Sequence, residues 1–244
     1  LVSGFGYLAL GVDHYFELEK RPQIALNQIQ NEEQKTRKLG EFETALDNRL
    51  QKQPEENGRT LVVVSASGGG IQASGWTAQV LGGLQEELGA SFTQATGLIS
   101  SVSGGSVGTM YFLDQFTNQG FPSDNNSLKT IFDNATEDWL DAVAWGMAYP
   151  DLIRLTGWLS PFVGKDNDRG YALEHDWQKN MLHPETETTL AGWREKSIKG
   201  EIPLPVFNAT LVEDGRRFLI SPLKLIQGNI KNLVNSDGDG KVLD

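Results

Sequence analysis

The chain has 244 residues, enough for one sizeable domain with a hydrophobic core. Its formal net charge of −11 at pH 7 argues against a nucleic-acid-binding surface and gives no general attraction to anionic membranes. The absence of cysteine excludes a disulfide framework, a thiol nucleophile and a thiolate metal site, and is compatible with a cytosolic protein. Because the sequence begins at Leu1 without methionine and stops at Asp244 without an evident terminal element, we expect it to be a piece of a longer protein.

The first 58 residues are predicted to be a helical region that precedes a larger domain at 59–244. The segment Leu1–Val12 is apolar, but a bilayer-spanning helix needs about twenty apolar residues. It is compatible with the tail of a membrane segment, which would give membrane contact, and equally with a buried hairpin or helix end. Residues 22–57 are polar and mixed in charge, which predicts one or two exposed helices broken near Gly40.

A strand, a glycine turn and a helix are predicted over residues 60–88. The run Thr60–Ser67 is short and apolar, as is typical of a buried parallel strand. It leads directly into Gly68, Gly69 and Gly70. The helix that follows is predicted to bury one apolar face, formed by Ile71, Trp76, Val80, Leu84 and Leu88.

A second unit of the same kind is predicted over residues 97–112. Its glycine cluster, Gly104–Gly108, matches the G-x-S-x-G pattern of a nucleophile elbow, with Ser106 at the centre. In such an elbow the serine lies on a strained turn between a strand and a helix, and its neighbours are glycines because a Cβ would clash there. A chance match in a loop rich in glycine and serine is the alternative interpretation.

Two such units in one parallel sheet bring both glycine turns to the same carboxyl edge. One turn then presents the nucleophile Ser106, while the N–H groups of Gly68, Gly69 and Gly70 are available to bind an oxyanion. The helix after each turn adds the positive end of its dipole to the same place.

The remaining elements are predicted from their composition. Residues 128–149 favour a helix that ends at Tyr149-Pro150. The apolar and aromatic segment Leu152–Val163 is compatible with a lid or acyl-chain wall and with ordinary packing over the sheet. Residues 203–221 favour a β-hairpin that turns at Asp214-Gly215. Three Asn-x-Ser/Thr sequons are interpreted as incidental: Asn125, Asn134 and Asn208.

The segment Asn235–Lys241 resembles the first half of an EF-hand loop, with oxygen ligands at positions 1, 3 and 5 and glycine at position 6. The closing acidic residue would fall beyond Asp244, so a flexible acidic turn is the alternative interpretation. No cluster of histidine and carboxylate residues has the spacing of a zinc site, and we therefore predict no metal and no cofactor.

The paired glycine motifs resemble those of the patatin-like and cytosolic phospholipase A2 family of acyl hydrolases. The resemblance rests on Ser67–Gly70 before a helix and on Val102–Gly108, and extends loosely to the strand-like segments Phe207–Thr210 and Phe218–Ser221. It covers about residues 60–225. It implies a three-layer α/β/α domain with a mainly parallel sheet, and a Ser–Asp dyad without histidine.

By position, the resemblance makes Ser106 the nucleophile and the N–H groups of Gly68, Gly69 and Gly70 the oxyanion hole, with the N–H of Val107 as a further donor. The implied reaction is hydrolysis of an acyl-ester lipid, most of all a glycerophospholipid. We predict neither a nucleic-acid partner nor a cofactor for this reaction.

The chain departs from the family pattern at two places. Many members carry a basic residue two places after the glycine triplet, where this chain has Gln72. The family's aspartate lies in an Asp-Gly-Gly or Asp-Gly-Ala motif that does not occur here, so we expect it beyond Asp244. The substitutes within the chain would be Asp237, Asp239 and then His175, whereas His14 and His183 lie in polar surroundings typical of solvated histidines.

Two other functions are compatible with the same residues. The spacing of Gly68, Gly70 and Ala73 after a strand fits a relaxed dinucleotide-binding fingerprint. That fingerprint needs an acidic residue at the end of the second strand, but the sequence there is Ser101-Val102-Ser103. The other alternative is a catalytically silent lipid-binding module, against which the retained Ser106 argues.

Overall fold

The computed structural model describes residues 40–55, 58–117, 120–122, 125–155, 169–182, 189–212, 215–223 and 225. These residues divide into two compact units. The larger unit contains the described residues of Thr36–Glu137 and Leu182–Asp244, and the smaller unit contains those of Asp138–Met181. The predicted N-terminal segment Leu1–Val12 lies outside the described residues.

The larger unit is built on a four-stranded sheet with the order β1-β2-β3-β4. Strands β1 to β3 are parallel, and β4 is antiparallel to β3. The predicted α/β fold with a mainly parallel sheet is therefore confirmed, as is the predicted hairpin. The strands are β1 (Val62–Ala66), β2 (Thr96–Val102), β3 (Leu204–Thr210) and β4 (Arg217–Ile220).

Helices of the larger unit precede and follow these strands, and the smaller unit is helical in its described part. In chain order the helices are α1 (Glu41–Gln51), α2 (Gly70–Leu88), α3 (Ala90–Ala95), α4 (Gly104–Asp114), α5 (Asn125–Thr136), α6 (Leu140–Gly146), α7 (Leu152–Leu155), α8 (Arg169–Lys179) and α9 (Leu190–Ile198). Helices α6 to α8 belong to the smaller unit. No described helix is both long and apolar enough to cross a bilayer.

One core of the larger unit joins helices α1 and α9 to strands β2 and β3. Its buried centre is formed by Ala45, Leu204 and Leu223, with Leu98 and Ile198 packed against it. Full burial of a leucine or isoleucine side chain contributes about 1.5–3 kcal/mol to stability. The cluster therefore fixes α1 on the sheet. Helix α1 begins immediately after Gly40, where the sequence predicts a break.

Helix α4 carries a second set of buried residues. Tyr111, Phe112 and Leu113 are almost completely buried. Phe112 packs against Phe116 and Phe121 with ring centroids 5.8 and 4.7 Å apart. These large side chains hold the C-terminal half of α4, while its first two turns carry glycines and small residues.

The apolar face predicted for α2 is wrong, because that face is exposed. The side chain of Trp76 is 71% exposed and that of Leu88 is 56% exposed. The buried residues of α2 are instead mostly small or polar: Ser74, Gly75, Thr77, Ala78, Leu81, Gly82 and Gln85. Helix α2 packs against α4 and α5, and the approach to α5 is closest at Gly75, where a Cβ would lie 2.5 Å from Thr136.

Strand β1 is also less buried than predicted. It is an edge strand of the described sheet, and its residues alternate between half-buried and exposed. The side chain of Val63 is 58% exposed. The apolar run therefore predicts the strand correctly but not its burial.

The smaller unit departs from prediction at Pro150. The helical path continues past Tyr149-Pro150 as a π-helical turn, Met147–Asp151, and then as α7. Because proline lacks an N–H, it disrupts the regular hydrogen-bond ladder, and a widened turn accommodates this locally. Of the predicted lid segment Leu152–Val163, only α7 lies within the described residues.

Candidate active site

The two predicted turns meet at one edge of the sheet, as expected. Strands β1 and β2 are parallel neighbours, and Ala66 is the register partner of Ser101. Two residues after Ala66 the chain enters the glycine turn at Gly68, and β2 ends at Val102, next to Ser103. The carboxyl ends of adjacent parallel strands thus carry a glycine turn and a serine side by side.

Ser103 has the strained backbone that was predicted for the nucleophile. Its φ is +53° and its ψ is −127°. Among the described residues it is the only one other than glycine with a positive φ. Such a conformation costs on the order of 1–3 kcal/mol and persists only where the surrounding structure enforces it. Ser103 is exposed, directly follows β2 and caps the N-terminus of α4, which is the position of a nucleophile elbow.

Ser106 occupies a different position from the one its motif predicts. It is the third residue of α4, is half-buried, and donates its backbone N–H to the carbonyl oxygen of Ser103 at 2.8 Å. The strained turn therefore lies one helical turn before Ser106. Centred on Ser103, the sequence Ser101-Val102-Ser103-Gly104-Gly105 keeps the glycine two places after the serine and has Ser101 in place of the first glycine.

The glycines that flank Ser106 have a packing role. A Cβ on Gly104 would overlap the carbonyl oxygen of Gly70, and a Cβ on Gly108 would overlap that of Ser74. A Cβ on Gly105 would lie 2.5 Å from the carbonyl oxygen of Ser67. Gly104 and Gly108 thus form a small-residue face that lets α4 approach α2, and this accounts for the G-x-S-x-G match around Ser106.

The glycine turn after β1 lies against Ser103. A Cβ on Gly68 would come within 3.0 Å of the Ser103 Cβ and 3.6 Å of its Oγ. Gly69 has φ +152° and Gly70 has φ +63°, and these conformations favour glycine. They turn the chain sharply into α2, whose first N–H groups have no partner within the helix.

Two helix N-termini converge on this turn. Neither α2 nor α4 has an acidic residue in its first turn, so no side-chain carboxylate offsets the positive end of either dipole there. The N–H of Gly104, the residue after Ser103, is in the position of the second oxyanion donor of a nucleophile elbow. The predicted further donor, the N–H of Val107, is directed to the carbonyl oxygen of Ser103 at 3.3 Å and is therefore engaged within the turn.

Strand β3 adds a polar side chain that the sequence does not single out for this site. Asn208 is the register partner of Val102, the last residue of β2. Its Nδ2 donates to the carbonyl oxygen of Ser101 and to the hydroxyl oxygen of Ser100, each at 3.0 Å. The amide is half-buried and bonded in a strand, which agrees with the interpretation of this sequon as incidental.

No described imidazole or carboxylate group hydrogen-bonds to the side chain of Ser103 or Ser106. His175 lies on α8 of the smaller unit, where its ring stacks on that of Tyr171 with centroids 6.1 Å apart. Gln72 is exposed in the first turn of α2. The residues His14, His183, Asp237 and Asp239 lie outside the described residues, as does the EF-hand-like segment Asn235–Lys241. The described histidines and carboxylates form no group able to hold a metal ion.

No protein-family model and no curated protein matches the sequence. Among solved structures, the chain is similar to human GIVD cytosolic phospholipase A2, in one case in complex with methyl γ-linolenyl fluorophosphonate inhibitor and terbium chloride and in another in complex with the same fluorophosphonate. The identities are 18% and 19% and the TM-scores 0.41 and 0.42, over 75% of this chain. The chain spans about a quarter of the length of those proteins, 26% in both cases.

Proposed function

We propose that the protein is a serine-dependent acyl-ester hydrolase in which Ser103 is the nucleophile. The observation that carries this proposal is the strained backbone of Ser103 at the junction of a parallel strand and a helix, with the turn at Gly68 beside it. Strained residues of this kind cluster at active sites, and Ser103 is exposed. Ser106, in the first turn of α4, is the competing nucleophile.

The reaction follows from this arrangement. The Oγ of Ser103 attacks the acyl carbonyl carbon while a general base takes its proton, and a tetrahedral oxyanion forms. The N–H groups of Gly68, Gly69 and Gly70, together with that of Gly104, bind this oxyanion. Collapse breaks the ester bond, the base returns its proton to the departing alcohol, and water then hydrolyses the acyl-enzyme.

The substrate class is proposed from the motif resemblance. The order of Ser67–Gly70 and Val102–Gly108 resembles that of lipid acyl hydrolases, which favours a glycerophospholipid or another acyl-ester lipid at a membrane. In the family that these motifs resemble the base is an aspartate, and we propose a Ser–Asp dyad. A chain that binds lipid without hydrolysing it would keep the fold but not the reactivity of Ser103.

The test is covalent labelling with a fluorophosphonate probe in two matched variants, Ser103→Ala and Ser106→Ala. We expect the unmodified protein and Ser106→Ala to be labelled and Ser103→Ala to be unlabelled. The rate of ester hydrolysis by Ser103→Ala should fall by several orders of magnitude, since binding and the oxyanion hole alone give only ~10³–10⁴-fold over water. If only Ser106→Ala loses labelling, the nucleophile is Ser106 and not Ser103. Equal labelling of the unmodified protein and both variants would contradict a serine mechanism at this site.

A further inference from the structure

We propose that Asn208 is a positioning residue that holds the nucleophile turn in its reactive geometry. The inference rests on the proposed role of Ser103. Asn208 lies on β3, outside both glycine motifs of the sequence. Its side chain bonds to Ser100 and Ser101 near the end of β2, just before the nucleophile turn.

The strain at Ser103 requires support from both sides of the turn. On the downstream side, the carbonyl oxygen of Ser103 accepts the N–H groups of Ser106 and Val107 at 2.8 and 3.3 Å. On the same side, Gly104 is pressed against the backbone of Gly70. These contacts fix the start of α4 and leave the end of β2 to be fixed separately.

The upstream side is held by Asn208. Both of its short hydrogen bonds, 3.0 Å each, go to residues of β2: the carbonyl oxygen of Ser101 and the hydroxyl oxygen of Ser100. Ser101 is two residues before Ser103, and the residue between them, Val102, is 39% exposed and gives little packing restraint. The Asn208 amide therefore restrains the last peptide groups before the strained turn.

The bonds define which substitutions are informative. Asn208→Asp keeps the shape of the side chain but replaces the NH2 donor with an oxygen. That oxygen cannot donate to the carbonyl oxygen of Ser101, whereas the Ser100 hydroxyl can rotate and donate to it. Ser221→Ala is the matched control. The Ser221 hydroxyl, directly after β4, donates to the carbonyl oxygen of Pro205 on β3 at 2.9 Å, so the variant loses one comparable bond to β3 on the side that faces β4 rather than β2. Ser100→Ala removes only the hydroxyl partner of Asn208 and tests whether the bond to Ser101 is sufficient.

The experiment measures kcat and KM for a short-chain nitrophenyl ester, the rate of fluorophosphonate inactivation, and the thermal unfolding temperature of each variant. We expect Asn208→Asp to lower kcat by about 10–100-fold and to slow inactivation by a similar factor, with KM changed less than about threefold, because a small misplacement of a reacting group costs up to ~10²-fold. We expect Ser221→Ala and Ser100→Ala to keep kcat within about threefold, whatever their unfolding temperatures.

The outcomes separate this inference from the function on which it rests. A kcat of Asn208→Asp equal to that of Ser221→Ala, while Ser103→Ala is inactive, would overturn the positioning role and leave the nucleophile assigned. Normal activity of Ser103→Ala would instead overturn the proposed function. If Asn208→Asp does not fold, Asn208→Ser takes its place, because serine keeps a hydroxyl donor on a shorter side chain. We expect Asn208→Ser to show the same fall in kcat without a matching change in KM. An unchanged kcat would count against the proposal.

Discussion

Gly104 lies so close to Gly70 that a Cβ on Gly104 would overlap the Gly70 carbonyl oxygen. The first residue of α4 and the first residue of α2 are thus in direct backbone contact. Because protein interiors are close-packed, such a contact transmits displacement rather than absorbing it. The turn that carries Ser103 and the turn that carries the proposed oxyanion donors are therefore held as one unit before any substrate is present, as electrostatic preorganisation requires.

The first prediction concerns this contact. Gly104→Ala should lower the free energy of unfolding by about 1–3 kcal/mol or more, because the added methyl group meets backbone atoms that no side-chain rotation can move away. Gly83→Ala is the matched control: Gly83 lies on α2 in open space, and alanine there should raise stability by up to about 1 kcal/mol through helix propensity. Denaturant unfolding measures both values, and an unchanged Gly104→Ala would contradict the close approach of the two helices.

The second prediction concerns Gly68. Gly68→Ala places a Cβ 3.0 Å from that of Ser103, so one of the two turns must shift by a few tenths of an ångström. We expect fluorophosphonate labelling and kcat to fall by ~10-fold or more, with a smaller loss of stability than in Gly104→Ala. The comparison with Ser106→Ala decides whether the affected nucleophile is Ser103, since the contact of Gly68 is with Ser103. Labelling of Gly68→Ala at the rate of the unmodified protein would contradict this arrangement.

The third prediction concerns Arg49, a buried cation of α1. Its guanidinium donates to the carbonyl oxygens of Thr93, Thr96, Gly200 and Glu201, and so ties α1 to the start of β2 and to the chain before β3. Burial lowers the pKa of Arg49 from its ordinary value to about 10, so the group stays charged at neutral pH. Below about pH 10 Arg49 is charged in both the folded and the unfolded state, so it adds no pH dependence to the free energy of unfolding. Above about pH 10 the unfolded state binds more protons than the folded state at this group, so the free energy of unfolding rises with pH.

Removal of the Arg49 guanidinium leaves several buried carbonyl groups without their donor. Arg49→Met should therefore lower the free energy of unfolding by about 2–4 kcal/mol. Arg59→Met is the control, because the Arg59 guanidinium bonds to the exposed carboxylate of Glu55, and such surface ion pairs contribute about 0–1 kcal/mol. Denaturant midpoints at pH 7 compare the two, and equal midpoints would show that the Arg49 bonds do not hold α1.

The sequence predicts those parts of the fold that depend on local signals. A short apolar run followed by glycines predicts β1 and its turn, and a Pro-rich apolar run with a later Asp-Gly predicts the hairpin of β3 and β4. Parallel neighbours place both turns at one edge for reasons that hold for every such sheet. The edge on which the site lies was therefore predictable from residues close to each other in the chain.

The choice between two serines depends on contacts that the sequence does not display. Gly104 and Gly108 match a catalytic pattern around Ser106, but the structure uses them for close contact with α2. A useful signal was present: a nucleophile elbow directly follows its strand, and the apolar run ends at Val102, next to Ser103. Similarly, the stripe that contains Trp76 shows that α2 is amphipathic, but small residues on the opposite face make the close contact with α4 and α5.

The role of Asn208 illustrates a second limit. Its hydrogen bonds reach residues of β2 that precede it by more than one hundred positions in the chain. No local pattern marks an asparagine in a strand as a support for a distant turn. Its only sequence feature, an Asn-x-Thr sequon, points to a modification that its bonded amide disfavours.

The last prediction separates an oxyanion turn from a dinucleotide-binding turn. The glycine spacing of Gly68–Ala73 after β1 suits both, but a dinucleotide fold needs a carboxylate at the end of the neighbouring strand to bind the ribose. Strand β2 ends at Val102 and is followed by Ser103, and the acidic residues of α2, Glu86 and Glu87, lie at the far end of that helix. The space in front of Gly68, which a pyrophosphate would need, adjoins the Ser103 side chain.

We therefore expect titration with NAD, NADP or FAD to show no saturable binding at 1 mM, which corresponds to a binding free energy weaker than about −4 kcal/mol. Ser103→Ala provides the matched control, because it frees space beside Gly68 without adding a carboxylate and should not bind either. Calorimetry on the unmodified protein and on this variant gives the answer directly. Micromolar binding that competes with an acyl-ester substrate would show that the glycine turn binds a pyrophosphate, and would assign the site to a cofactor rather than to an oxyanion.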